Sequence, residues 1–356
     1  MKKLLAEIRE LLLSARSSIS RGVDLMQVLT NFEIGRRIVK HEQRGSERAE
    51  YGKRIIKELS AKLFDEFGNG FSKRNLEYMR RFYLEYQDRR PQIAQTPSAQ
   101  SVIPDAVGAE KVQTVSAQFA LSWSHYIFLM SIPTPDERHF YEIEAIGQSW
   151  PVRELKRQFS AGLYERLALS RDKDGVRRLA KEGQVISSPR DLLKEPYVLE
   201  FLGLKEEAKY SESDLESAII DKLEHFLLEL GKGFLFEARQ KRFTFDADHF
   251  FVDLVFYNRL LRCYVLIDLK IGKLTHQDLG QMQMYVNYFD RHVKLKAENP
   301  TVGIILCKKK QDALVEITLP PDANIHAKEY RLYLPDKEEL KKKLLEWAVD
   351  AEDSKK

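Results

Sequence analysis

Three ionisable residues, Asp253, Asp268 and Lys270, stand inside apolar text: residues 250–257 read FFVDLVFY and residues 263–270 read CYVLIDLK. Both runs are rich in aromatic and β-branched residues and resemble strands buried on both faces. A carboxylate in such a strand costs several kcal/mol unless it is paired, hydrogen-bonded or bound to a metal. Asp268 and Lys270 are two residues apart, so on a strand they project from one face. If residues 258–261 form a four-residue turn, Tyr257 faces Arg262 and Asp253 faces Leu266. Asp268 is then the diagonal neighbour of Asp253 on the same face, at ~7–8 Å. Two acids so placed can share a divalent cation with oxygen ligands at ~2.0–2.1 Å. A two-residue turn would move Asp268 roughly 13 Å along the strand and defeat the reading. The chemistry such a set can do is phosphodiester hydrolysis. Asp253, Asp268 and the carbonyl of Leu269 would hold Mg²⁺ or Mn²⁺, lowering the pKa of a bound water. Lys270 would position that water and counter charge on the phosphate. The alternative is a structural Asp–Lys pair at a strand end.

The elements around these residues read as an α/β sheet. A helix covers ESDLESAIIDKLEHFLLELG, with Leu215, Ile219, Leu223, Phe226, Leu227 and Leu230 inward. Ser213 and Glu216 are spaced as a capping box, which gives Glu216 a sufficient structural role. Residues 234–245 make a first strand, the two acidic strands follow, 275–289 is a helix, and 302–307 (VGIILC) is a short buried strand. The order α-β-β-β-α-β puts helices on the faces of a sheet. On the second helix Gln281 and Tyr285 are spaced i, i+4 and share a face, where Tyr285 can also pack on the sheet with Met282 and Phe289. Lys308, Lys309 and Lys310 read as a solvated turn.

The N-terminal half reads as helical. Leu4, Ile8, Leu11 and Leu12 recur at helical spacing, a second helix spans 24–41, and a third spans 46–67 until Gly68-Asn69-Gly70 stops it. Ser72 is placed to cap a helix over 73–86 that carries Lys73, Arg74, Arg80 and Arg81. A short helix, a glycine turn and a basic helix outline a helix-turn-helix; contact with nucleic acid and a solvated basic face both fit it. Residues 1–90 hold 20 Lys and Arg against 13 Asp and Glu, whereas the whole chain of 356 residues carries a net charge of only +4. The text near 89–118 is polar and aperiodic and reads as a mobile loop. His125 and His139 lack ligand-spaced partners and read as packing or hydrogen-bonding residues. Cys263 and Cys307 lie in separate apolar strands, which excludes a disulfide framework and fits a reducing cytoplasm. The chain has no apolar run near 18 residues, so no membrane span or membrane partner is expected. Four regions result: a helical domain over 1–185, a connector over 186–210, an α/β domain over 211–340 and a charged tail over 341–356.

VDLVFYNRLLRCYVLIDLK resembles the signature of the PD-(D/E)XK nuclease superfamily, with Asp253 as the first acid and Asp268-Leu269-Lys270 as the (D/E)XK element. GKGFLFEARQKRF followed by FFVDLVFYNRLLRCYVLIDLKIGKLTHQDLGQMQMY is similar to the C-terminal nuclease domain of the YhcG-type family. NFEIGRRIVKHE and GFSKRNLEYMRRFY are similar to the N-terminal domain of that family, so the resemblance covers both ends of the chain. Val252 stands where many superfamily members have proline, and Asp268 where glutamate is commoner. The resemblance implies a restriction-endonuclease-like fold for the C-terminal domain behind a mainly α-helical N-terminal domain. It also implies Glu216 as a further metal ligand, Gln281 and Tyr285 as residues touching the lysine and the nucleic-acid backbone, and Gln240 as a residue near the site.

The expectation is therefore a Mg²⁺- or Mn²⁺-dependent nuclease, a DNA endonuclease in particular, with an N-terminal domain that binds DNA or a partner. A homodimer, or a protein partner from a defence or mobile-element system, is compatible with this. A catalytically silent nucleic-acid-binding or scaffold protein that keeps the fold is the alternative. The intact acid–acid–lysine set favours the enzyme.

Overall fold

The computed structural model describes residues 24–42, 49–89, 119–204, 209–245, 248–320 and 322–353. The periodic segment before residue 24, Gly45 and most of the expected loop near 89–118 lie outside them. The chain divides into two compact units, Met1–Arg138 with Ala145–Leu155, and His139–Glu144 with Lys156–Lys356. No helix among the described residues is long and apolar enough to cross a membrane.

The first unit is helical. Helix α1 covers residues 24–42, α2 Ala49–Phe67, α3 Lys73–Tyr86 and α4 Trp123–Ser131. Gly68, at φ +83°, ends α2 in a conformation that favours glycine. Ser72 then caps α3, its side chain accepting from Asn75 N–H. The core is aromatic: Phe82 is ringed by Phe32, Tyr86, Phe119, Trp123 and Tyr126 at centroid separations of 5.0–5.8 Å. Gly35 lets α1 and α3 touch, since a Cβ there would lie 2.0 Å from the carbonyl oxygen of Met79. His125 bonds Ser122 Oγ through Nδ1 and the Trp150 carbonyl through Nε2, so it is a hydrogen-bonding residue as its isolation suggested.

Helices α5 (Pro135–Gly147), α6 (Val152–Ser160), α7 (Leu163–Leu169) and α8 (Lys173–Glu182) follow. The second unit is built on a six-stranded sheet. Its strands are β1 (Tyr197–Val198), β2 (Phe234–Phe245), β3 (Asp248–Asn258), β4 (Cys263–Lys273), β5 (Val302–Lys309) and β6 (Ile325–Arg331), in the order β1-β6-β5-β4-β3-β2. From β1 to β4 neighbours are parallel, and β3 is antiparallel to both β4 and β2. Helices α9 (Glu212–Asp221) and α10 (Leu223–Leu230) cover one face through Leu215, Ile219, Phe226 and Leu230 on Leu254, Phe256, Ile267 and Ile304. Helix α11 (His276–Tyr288) covers the other with Leu279, Met282, Tyr285 and Val286 on Val255, Leu266 and Ile305. Burial on both faces explains the unbroken apolar text of the central strands. The α-β-β-β-α-β order holds, except that the single opening helix expected is broken at Lys222 into α9 and α10. Beyond it come α12 (Asp312–Thr318), β6 and α13 (Lys337–Asp353), the last lying where a charged tail was expected. Residues of the expected connector are structural: Tyr197 pairs with Tyr330, and Leu192, Leu193, Tyr197 and Leu199 lie in the core. Both cysteines are free and buried.

The β3–β4 turn differs from expectation by one residue, which moves the register by two. Asn258 pairs with Cys263 and Tyr257 with Tyr264, so the four-residue turn is 259–262. The cause is the fully buried Asn258, whose Oδ1 accepts the N–H groups of Leu260 and Leu261, each at 3.1 Å, while Nδ2 donates to the Lys232 carbonyl at 3.0 Å. These bonds hold Asn258 in the strand and Leu261 toward the core. Asn258→Ala leaves buried amides unpaired and is expected to cost about 1–3 kcal/mol, read by chemical denaturation.

Candidate active site

The β3–β4 ladder ends at the Leu254–Ile267 pair. The next step of that register is Asp253 and Asp268, opposite in sequence count where a diagonal placement was expected. The strands separate there, and Asp253 Oδ2 accepts the Leu269 N–H at 2.8 Å. Asp268 shares its face of β4 with Leu266, under α11, and is 3% exposed. Lys270 Nζ lies 2.9 Å from the buried Asp268 Oδ2 and forms an ion pair with it. Glu212 at 3.6 Å and Asp278 at 4.0 Å complete the acidic surroundings of Lys270; sequence reasoning singled out neither. Their place at the start of α9 and α11, where acids suit the helix dipole, was the available signal.

Burial, then the neighbouring Asp253 carboxylate, pushes the Asp268 carboxyl up to about 7. Asp253 is also raised, by burial, against the pull of the Leu269 N–H and Lys270. Burial lowers Lys270, but Asp268, Glu212 and Asp253 outweigh it and hold the ammonium above its ordinary value. Two acids pushed up beside a retained cation form the kind of perturbed cluster that marks functional sites.

Glu216 does not cap its helix. Ser211 and Asp214 form the capping box, two residues earlier than the Ser213 and Glu216 pair suggested, which frees Glu216 to turn inward. Buried there, Glu216 pairs with Arg239 Nε at 2.8 Å and accepts a hydrogen bond from Gln240 Nε2. The same Gln240 nitrogen donates to Asp253 Oδ1 at 3.0 Å, linking the two carboxylates. Gln240 sits at φ +44°, where the β2–β3 ladder is interrupted between the Arg239–Leu254 and Lys241–Val252 pairs. That conformation costs a non-glycine residue about 1 kcal/mol, a local strain at the position that reaches both acids.

Gln281 Nε2 donates to Tyr285 OH at 2.5 Å. Burial and then the Asp268 charge push the Tyr285 hydroxyl up to about 12, so this pair stands beside the acids as a neutral donor–acceptor couple. No hydrogen bond joins either to Lys270 among the described residues. In the first unit Arg80 pairs with Glu42 at 2.7 Å, Arg81 with Glu85 at 3.6 Å and Lys73 with Glu77 at 3.8 Å, while Arg74 bonds Tyr78 OH. The four basic residues lie on one helix and are apart from the acidic set in the chain.

No group of three or more His, Cys, Asp and Glu among the described residues is set to hold a metal ion. The donors that would be left for a divalent cation are fewer: Asp253, Asp268 and the carbonyl of Leu269. Glu216, already held by Arg239 and Gln240, adds nothing to that set in this conformation.

Residues 190–345 match the model of a family described as the YhcG PDDEXK nuclease domain, and residues 7–166 match the DUF1016 N-terminal domain. The curated Escherichia coli (strain K12) protein named "Putative nuclease YhcG" is 42% identical over 342 residues, 93% of this chain and 90% of that protein. Among solved structures, a repair endonuclease from Pyrococcus abyssi is 18% identical with a TM-score of 0.25, covering 36% of this chain and half of that one. An EndoMS–dsDNA complex is 14% identical, also at 0.25, covering 37% of this chain and half of that one. With both of its halves matched and a relative of this identity along almost its whole length, the chain belongs to the YhcG family, with a C-terminal PDDEXK nuclease domain behind a DUF1016 N-terminal domain.

Proposed function

We propose that this protein is a divalent-metal-dependent DNA endonuclease that hydrolyses phosphodiesters at Asp253, Asp268 and Lys270. The observation that carries the reading is the buried Asp268 and half-buried Asp253 where the β3–β4 ladder ends, with the Lys270 amine 2.9 Å from Asp268 Oδ2. Asp253, Asp268 and the Leu269 carbonyl would hold Mg²⁺ or Mn²⁺, which when bound supplies an acidified water and neutralises charge on the scissile phosphate. Lys270, kept charged by its acidic neighbours, orients the incoming water and offsets charge on the phosphate oxygens. Gln240 holds Asp253 against the Leu269 edge of β4. Gln281 and Tyr285 offer neutral hydrogen bonds to the DNA backbone from α11. In the first unit Lys73, Arg74, Arg80 and Arg81 contact phosphates: the Lys73–Glu77 pair is exposed, so little is lost there when phosphate replaces carboxylate, whereas Arg80 and Arg81 would exchange half-buried Glu42 and Glu85 and Arg74 the Tyr78 hydroxyl.

The test is cleavage of supercoiled, linear, branched and single-stranded DNA by the full chain. Cleavage that needs Mg²⁺ or Mn²⁺ and stops with EDTA is expected; no cleavage, or cleavage indifferent to EDTA, contradicts the reading. A pH dependence also follows. A raised carboxyl must lose its proton before it can bind a cation, so protons compete below about 7. Apparent Mn²⁺ affinity is therefore expected to rise with pH up to about 7 and then level off, as measured by calorimetric titration in buffers of different ionisation enthalpy.

A further inference from the structure

Lys270 stands at the end of the regular β4–β5 ladder, which runs to the Lys270–Cys307 pair and shifts beyond it. Its amine meets three carboxylates. Asp268 Oδ2 is nearest at 2.9 Å, Glu212 Oε2 lies at 3.6 Å and Asp278 Oδ1 at 4.0 Å. The two farther acids arrive from helices on opposite faces of the sheet: Glu212 opens α9, and Asp278 lies in the first turn of α11. Each is tied locally by its other oxygen. Glu212 Oε1 accepts the Ile271 N–H at 3.4 Å, and Asp278 Oδ2 accepts both the N–H and the hydroxyl of Thr275 at 2.8 Å. Both acids therefore present one oxygen to the same amine. Among the described residues, Lys270 is the one cation in ion-pair range of either.

The proposed chemistry places opposing demands on Lys270. Its nearest partner, Asp268, is one of the two acids that would hold the cation, and an ammonium on the same carboxylate repels a divalent ion and weakens its binding. Yet the amine must stay charged and close by to act on the phosphate, and a half-buried ammonium without an anion tends to lose its proton. We infer that Glu212 and Asp278 are positioning residues that take over Lys270 when Asp268 turns to the cation. The shift asked of the amine is short, from Asp268 Oδ2 toward two oxygens already within 4.0 Å, so its charge stays paired. Acids suit the first turn of any helix, but that preference does not aim one oxygen from each of two helices at a single lysine. The inference rests on the nuclease reading and adds to that site two residues that are not metal ligands.

The test is calorimetric titration of Mn²⁺ into the full chain, without DNA, in two backgrounds. With Lys270 present, Glu212→Gln/Asp278→Asn is expected to weaken Mn²⁺ binding about tenfold, the low end for residues that support a ligand set from outside it, because the amine then stays on Asp268. In a Lys270→Met background there is no amine to relocate, and the same two substitutions are expected to cost about threefold or less, the residue of screened charge. Glu212→Gln alone, at a half-exposed position, serves if the double variant folds poorly, and Lys270→Gln serves if Lys270→Met does. Equal losses in the two backgrounds would make Glu212 and Asp278 ligands or plain field charges, and no loss with Lys270 present would make them helix-end acids. Either result overturns the inference and leaves the metal reading standing. A native chain that binds no Mn²⁺ sinks the metal reading and the inference together.

Discussion

Asp268→Asn is expected to lower DNA cleavage by about a thousandfold or more if, as proposed, this carboxylate holds the metal and is worth several kcal/mol in the transition state. The substitution keeps the shape of the side chain and removes the charge that burial and Asp253 have pushed toward neutrality. Folding is preserved, and the thermal transition moves by only a few degrees. Asp253→Asn behaves alike, with an added loss of order at the Leu269 N–H that its carboxylate receives. Glu216→Gln is expected to reduce cleavage by no more than about tenfold, since Arg239 and Gln240 already occupy both of its oxygens. Single-turnover rates at saturating metal separate the three. A Glu216 effect as large as that of Asp268 would make Glu216 a ligand after all.

The largest stability effect belongs to Glu229→Ala, which is expected to destabilise the second unit by about 3–5 kcal/mol. Glu229 is fully buried on α10 and accepts from Arg166 Nη1 at 2.5 Å and Nη2 at 3.4 Å. Its Oε1 also accepts the Val198 N–H at 3.0 Å, and its main-chain carbonyl accepts from Lys194. Burial pushes Lys194 down to about 8 despite the nearby Glu229 charge. Burial raises the Glu229 carboxyl, but Arg166 and Lys194 outweigh it and hold the group below its ordinary value. Stability from this group is thus present above the ordinary carboxylate range and lost as pH falls through the depressed value. Truncation leaves a buried guanidinium and ammonium without their anion, and frees the amide that fastens edge strand β1. Urea denaturation measures it; a cost below about 1 kcal/mol would mean that water reaches Arg166.

These residues also mark where sequence reasoning reached and where it stopped. The strands holding Asp253 and Asp268, the α11 helix and the Ser72 cap were readable because each rests on local pattern: apolar runs, helical spacing, a capping serine. The pairing of Tyr197 with Tyr330 was not, because a two-residue parallel strand has no periodicity and its partner lies far along the chain. The register missed by two because the turn is set by the side-chain bonds of Asn258, which a count of turn residues ignores. The α9 cap was misread because 211–216 reads S-E-S-D-L-E and offers two overlapping Ser-x-x-acid boxes; the chain uses the earlier one. That choice changes the site, because it releases Glu216 to pair with Arg239 and Gln240.

Calorimetric titration of Mn²⁺ into the full chain and into the Asp253→Asn/Asp268→Asn double variant tests the central claim most directly. The account predicts saturable binding to the native chain with proton release at pH 6, and no binding to the folded double variant. Equal binding by both, or none by the native chain, would contradict it.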